Sequence, residues 1–334
     1  MYTSFYGLKA KPFQLSPDPN FFFGSKGHNR AMAYLEYGLA QAEGFIVVTG
    51  EVGAGKTTLV RNLFRQLEPE KIVAAQIVNT SLDSDDTLRM VAAAFGLPLT
   101  QGNPGKTPVL IALEKFFRQC EQQGKRALLV VDEAQNLSPH TVEELRMLSN
   151  FQGDNKSLLQ TFLLGQPEFR KTLLGNDMKQ LRQRITATYH LGPMDLAETK
   201  SYIEHRLKTV GWSGNPGFDE DAFDAIYHYT GGIPRRINAL CDRLLLMGYL
   251  EKLQHFGVSE VNEVIRDIQQ EFDTVDVETG LLSGDKTSAL EEEQFVTGLE
   301  EMSNRVAKLE ETVVSLMGLL KQVLSLADVN KRLR

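Results

Sequence analysis

Apolar and polar positions fall into two rhythms over the first part of the chain. Short, nearly all-apolar runs at 45–49, 72–79, 127–131, 158–164 and 187–191 have strand length and read as buried strands. Between them, 26–42, 56–67, 85–95 and 108–123 carry apolar residues at helical spacing, as Ala31, Leu35 and Leu39 do. Strands alternating with helices predict an α/β fold, a parallel sheet sandwiched by helices. After Pro193 the strand signal stops. Helices are expected at 196–210, 219–230, 233–251 and 258–270, as a separate all-helical lid. The opening FYGLKAKPFQLSPDPNFFFGS has no period, and its aromatics predict an extended segment packed on a core.

Residues 273–292 are poor in apolar side chains and read as a linker. Beyond them Phe295, Met302, Leu309, Leu316 and Val323 recur every seventh position, with Leu299, Val306, Val313, Leu320 and Ala327 between. That alternating spacing is a coiled-coil seam, and valine at a with leucine at d favours two strands. A homo-oligomer is therefore expected, the rival being one amphipathic helix folded back on the globular part. The expected organisation is an N-terminal segment (1–25), an α/β domain (26–193), a lid (194–272), a linker (273–292) and a coiled-coil helix (293–330).

Composition is that of a soluble globular protein, and no run approaches the roughly 18 apolar residues of a membrane span. The start lacks the pattern of a signal peptide, so the expected location is the cytoplasm. A net charge of −7 disfavours general polyanion binding, and no specific nucleic-acid partner is expected. Cys120 and Cys241 lie far apart in helical patterns and read as buried apolar residues. The six histidines form no metal-binding pair.

The strongest chemical signal is GEVGAGKT at 50–57, a full G-x-x-x-x-G-K-[ST] between an apolar strand and a helix. Glycines let the backbone approach phosphate oxygens, and the helix N-terminus adds partial positive charge. The expected nucleotide contacts are Gly50, Glu51, Val52, Gly53, Ala54, Gly55, Lys56, Thr57 and Thr58. Lys56 supplies a full charge to the β- and γ-phosphates, and the Thr57 hydroxyl is placed to ligate Mg2+. The second signal is ALLVVDEAQ, a buried strand ending in Asp132 and Glu133. Asp132 is read as the Mg2+ partner and Glu133 as the base for the attacking water. A further strand at 72–79, between these motifs in sequence, fits the additional-strand class of P-loop NTPases, which hydrolyse ATP.

Softer candidates follow. The 158–164 strand delivers Gln166 one strand from Asp132, where it can bond the water or the γ-phosphate. Arg184, with Arg182 less favoured, precedes the last strand and is a candidate to reach a neighbouring subunit's phosphate. Arg235, in GGIPRRIN, opens a lid helix and can reach back to the phosphates. Arg146 is a weaker trans candidate. Phe13 and Phe23 are equally readable as walls of an adenine pocket or as core.

The ordered set PFQLSPDPNFFFGSKGHNRAMAYLEYGL, FIVVTGEVGAGKTTL, LLVVDEAQNLSPHTVEELRMLSN, LLGQPEF, LRQRITATYHL and GGIPRRIN resembles the AAA ATPases of general secretion pathway protein A type, over about residues 1–270. Within that family the sequence is most similar to a secretion ATPase subfamily associated with exosortase and exopolysaccharide gene clusters. The resemblance implies Walker A at 50–57, Walker B at Asp132 and Glu133, sensor 1 at Gln166 and sensor 2 at Arg235, with Arg184 chosen as arginine finger. It implies a Mg2+-dependent ATPase that powers or regulates assembly of a bacterial cell-envelope export system. Its partner would be a membrane-bound component, at the inner face of the cytoplasmic membrane. Larger members continue into a transmembrane helix and a peptidoglycan-binding region, patterns not seen here. Rival readings are a DNA-handling ATPase of the TniB and MuB types, and a slow-turnover nucleotide-dependent scaffold.

Overall fold

The structure, a computed structural model, describes residues 1–41, 44–78, 84–98, 105–153 and 157–279. The chain divides into two compact units, 1–269 and 270–334, and the account below concerns the first. The expected coiled-coil seam lies outside the described residues.

In chain order come α1 (Tyr2–Phe5), α2 (Lys26–Gln41), β1 (Phe45–Gly50), α3 (Lys56–Gln66), β2 (Ile72–Ile77), α4 (Ser84–Ala94) and α5 (Lys106–Gln122). Then follow β3 (Arg126–Val131), α6 (Pro139–Leu148), β4 (Leu159–Gly165), α7 (Pro167–Leu174), α8 (Lys179–Arg182) and β5 (Ile185–Leu191). The remainder is α9 (Leu196–Thr209), β6 (Gly217–Phe218), α10 (Glu220–Thr230), α11 (Pro234–Leu250), β7 (His255–Phe256) and α12 (Val258–Thr279).

The five main strands are all parallel, in the order β2-β3-β4-β1-β5. β1 and β4 are buried along their whole length, and β3 from Ala127 on, because both faces are covered. Phe45, Val47, Leu129, Val131 and Leu163 join the core on one face with Leu88 and Leu113. Ile46, Val48, Leu128, Val130 and Phe162 join the other with Leu35, Leu59 and Leu63. Period-two alternation inside an apolar run thus feeds two cores at once.

Sequence order misplaces one strand. The strand that separates the phosphate-loop strand from the acidic strand is β4, which follows both in sequence; β2 lies at the edge, beside β3. A strand's place in a parallel sheet is set by its crossover, which sequence position does not encode.

The helical part differs from expectation in two ways. It belongs to the same compact unit as the sheet, and it contains the short parallel pair β6–β7. The N-terminal segment has a core to pack on, and that core is the helical one: Tyr2, Tyr6, Leu8, Phe13 and Phe21 cluster with Ile203, Leu207, Ile237, Leu244 and Phe256. It also forms α1 and a 3-10 turn at Pro19–Phe21, where the Asp18 carboxylate accepts the Asn20 N–H at 2.9 Å. At the far end, α12 runs to Thr279, into the expected linker, as the first glycine after Val258 is Gly280. Cys120 and Cys241 are both buried.

Candidate active site

β1 delivers the chain at Gly50, and the loop turns into α3 at Lys56. Gly55, the residue before α3, has φ +100° and offers no side-chain cap. The first N–H groups of α3 are left for an external acceptor, where the helix dipole favours an anion. Lys56 is only 6% exposed, and its Nζ donates to the Gly50 carbonyl at 2.6 Å and the Glu51 carbonyl at 3.0 Å. Burial pushes this amine below the ordinary lysine range, against the pull of the Glu133 and Asp132 carboxylates.

Asp132, at the carboxyl end of β3, is 2% exposed. Its Oδ2 accepts the Thr57 hydroxyl at 2.9 Å, and its Oδ1 accepts the Glu133 backbone N–H at 3.0 Å. Desolvation raises its pKa even so. A hydroxyl and a buried, incompletely neutralised carboxylate are the hard oxygen donors that Mg2+ takes, so the residues present fit that ion.

Glu133 has φ +55°, a left-handed backbone rare outside glycine, with strain of about 1–2 kcal/mol. This kink turns the chain sharply off the strand. The Glu133 Oε2 accepts the Gln135 Nε2–H at 2.6 Å and the Gln166 Nε2–H at 3.2 Å. The Gln135 Oε1 accepts the Gln166 backbone N–H at 3.0 Å. These bonds, that from Gln135 foremost, hold the Glu133 carboxyl below its usual range.

A cavity of about 310 Å³ opens beside these groups. Its polar end is lined by Gly53, Gly55, Lys56, Thr57, Thr58, Glu133 and Gln166. Its other walls come from Met194, from Tyr202 and Arg206 of α9, from Pro234, Arg235 and Asn238 of α11, and from Phe21, Phe22 and Phe23. The Arg235 backbone N–H donates to the Gly53 carbonyl at 3.2 Å. A Cβ on Gly53 would lie 2.4 Å from the Arg235 Cβ, so only glycine admits this approach of α11 to the loop. Arg206 is 6% exposed; it donates to the Pro12 carbonyl at 2.6 Å, the Tyr202 hydroxyl at 2.8 Å and the Gln14 carbonyl at 3.3 Å. It also lies over the Phe21 ring, 4.8 Å from the centroid.

The structure therefore gathers most of the residues singled out in the sequence. Val52, Gly53, Gly55, Lys56, Thr57, Thr58, Glu133, Gln166 and Arg235 line one cavity, and Phe23 is among its walls. Gly50 and Glu51 take part through their carbonyls. Others fall elsewhere. Phe13 is buried in the helical core, because aromatic spacing cannot tell a cavity wall from core. Arg184 sits at the amino end of β5, its carbonyl accepting the Phe45 N–H at 2.8 Å, on the edge of the sheet opposite the phosphate loop. Its guanidinium donates to the Ser149 Oγ at 3.1 Å. Arg182 is bonded to the Leu173 and Gly175 carbonyls, and Arg146 forms a two-pronged pair with Glu143. Gln135 and Arg206 were not legible: their partners Gln166 and Pro12 lie 31 and 194 positions away.

Residues 39–173 match the family model of the AAA domain. General secretion pathway protein A of Aeromonas hydrophila is 39% identical over 274 residues, 81% of this chain and 50% of that protein. The chain thus spans about half the length of the curated relative it matches. The fold is shared with Aeropyrum pernix ORC2, solved as ADPNP-ADP complexes, at TM-score 0.58 and 16% identity, covering 77% of this chain and 71% of that one. Cdc6p of Pyrobaculum aerophilum gives TM-score 0.58 and 16% identity, over 79% and 70% of the two chains. The RuvB Holliday junction branch migration motor of Thermotoga maritima gives 0.50 and 18%, over 73% and 70%.

Proposed function

We propose that this chain is a Mg2+-dependent ATPase that powers or regulates assembly of a bacterial cell-envelope secretion or exopolysaccharide export system. The observation that carries the reading is one cavity with a buried lysine at a bare helix N-terminus, a Thr57–Asp132 oxygen pair, and Glu133 held by two amides. The AAA domain and the likeness to general secretion pathway protein A support it.

In this reading ATP is the substrate, its phosphates lying against Lys56 and the first N–H groups of α3. Thr57 and Asp132 would hold Mg2+, which would supply charge neutralisation at the phosphate oxygens. Glu133 accepts a proton from water as the water oxygen bonds the γ-phosphorus and the bond from that phosphorus to the leaving ADP oxygen breaks. Lys56 stabilises the charge that gathers on the departing side. Gln166 holds Glu133 in place, and Arg235 approaches from the helical side. Arg184 is proposed to serve a neighbouring copy's site, since it lies across the sheet from its own loop. Among the described residues no helix is long and apolar enough to cross a membrane. The proposed partner is a membrane-bound export component.

Lys56→Ala is expected to abolish ATP binding, and Glu133→Gln to keep binding while losing turnover. Equal hydrolysis by wild type and Glu133→Gln would overturn the assignment of the base. A specific rate that rises with protein concentration would support a site completed by Arg184 of another copy. A flat rate would count against it.

A further inference from the structure

His28 lies outside the phosphate-loop and acidic-strand motifs, yet it touches the phosphate loop. It lies near the start of α2, is 5% exposed, and meets the Phe22 ring edge-on. Its ring nitrogens face different partners. Nδ1 lies 2.8 Å from the Ser25 Oγ, and the same oxygen accepts the His28 backbone N–H at 3.3 Å. The ring also bonds the Ala54 backbone. The Ala54 N–H is already given to the Glu51 carbonyl at 3.1 Å, so the Ala54 carbonyl is the partner. Nε2 is the nitrogen on that side, for a Cβ on Gly55 would fall 2.6 Å from it.

These contacts fix the tautomer. A carbonyl has no proton to give, so Nε2 carries the hydrogen and donates it to Ala54. Nδ1 is then the acceptor, and the Ser25 hydroxyl donates to it. Burial keeps the ring neutral, consistent with one proton shared out in this way.

The geometry has a consequence for the loop. The orientation of the peptide between Ala54 and Gly55 is set by Ala54 ψ and Gly55 φ, and Gly55, at φ +100°, has no Cβ to bias it. In a trans peptide the C=O and N–H point in opposite directions. A carbonyl drawn to His28 therefore sends the Gly55 N–H the other way.

We propose that His28 is a positioning residue for the phosphate loop, with Ser25 setting its tautomer. It holds the peptide between Ala54 and Gly55 in the orientation that presents the Gly55 N–H to the β- and γ-phosphates of a nucleoside di- or triphosphate. This rests on the reading of the cavity as an ATP site, and it adds a residue to that site from a helix outside the nucleotide motifs.

The test compares wild type, His28→Leu, His28→Gln and Ser25→Ala. Fluorescent N-methylanthraniloyl ATP, ADP and AMP are titrated into each full-length chain, and thermal midpoints are taken without nucleotide. Loss of one oriented donor to a charged group is expected to weaken ATP and ADP by about tenfold in His28→Leu. AMP, which has no β-phosphate, is expected to bind as before. The Gln side chain offers an N–H at similar reach and is expected to recover most of the affinity. Ser25→Ala is expected to show a smaller loss of the same selectivity, and it carries the test should His28→Leu not fold. Unchanged ADP affinity in the variants overturns the inference alone, as does an equal loss for ADP and AMP. Wild type that binds neither ADP nor ATP overturns the ATP reading and the inference with it.

Discussion

Gln135 is one amide with both of its ends engaged. Its N–H side holds Glu133 and its carbonyl holds the Gln166 backbone. Replacing it by leucine leaves the phosphate contacts in place and frees the Glu133 carboxylate to wander. Gln135→Leu is expected to lower kcat by about tenfold, the scale of one hydrogen bond to a charged group, with KM for ATP nearly unchanged. Steady-state kinetics at saturating Mg2+ checks this, and a rise in KM without loss of kcat would refute it. The contrast with Lys56 and Asp132 explains what sequence could reveal. Those residues sit in contiguous runs whose spacing is dictated by a phosphate group and a strand end. Gln135 lies inside such a run, but its meaning depends on Gln166, 31 positions away. Nothing in a glutamine announces such a partner.

Elements were legible where a period persists and opaque where contacts cross the chain. The five strands and the long helices follow from apolar spacing, whereas the position of β4 between β1 and β3 does not. The N-terminal segment shows the same limit. Its aromatics foretold burial, but the choice of the helical core as host is made by α9 and α11, far along the chain. Arg206 of α9 is a buried polar tie, bonding the carbonyls of Pro12 and Gln14. Arg206→Leu strands buried carbonyls and is expected to destabilise the fold by about 3 kcal/mol. For a unit of this size that lowers the thermal midpoint by about 6–12 °C. Differential scanning calorimetry would detect it, and a shift within about 1 °C would mean that the Arg206 bonds add nothing to the hold on the segment.

For the molecule as a whole, two histidines tie stability to pH. Burial lowers the pKa of both His28 and His205 from the ordinary histidine value of about 6.5. Below that value the unfolded chain binds more protons than the folded one, so stability rises with pH through the window. The contribution is complete above the unfolded pKa and is lost as pH falls toward the depressed folded values. Thermal midpoints are therefore expected to drop between about pH 7 and about pH 5, with a shallower slope in His28→Gln. An identical slope in that variant would mean that other groups, carboxylates foremost, govern this range.

The bond from the Tyr2 hydroxyl to the Asp242 carboxylate spans 240 positions of sequence. During synthesis the first residues of the chain leave the ribosome long before α11 exists. At about 5–20 residues per second, the wait is on the order of 10–50 s. Through that interval Tyr2, Tyr6, Phe13 and Phe21 have no helical core to enter, and the aromatic segment is exposed to whatever binds apolar chain in the cell. The order of manufacture is thus the reverse of the order of closure. The stretch made early is the last to find its place, and a nascent chain stalled before residue 230 is expected to remain cleavable by protease within residues 2–21 after the sheet has become resistant.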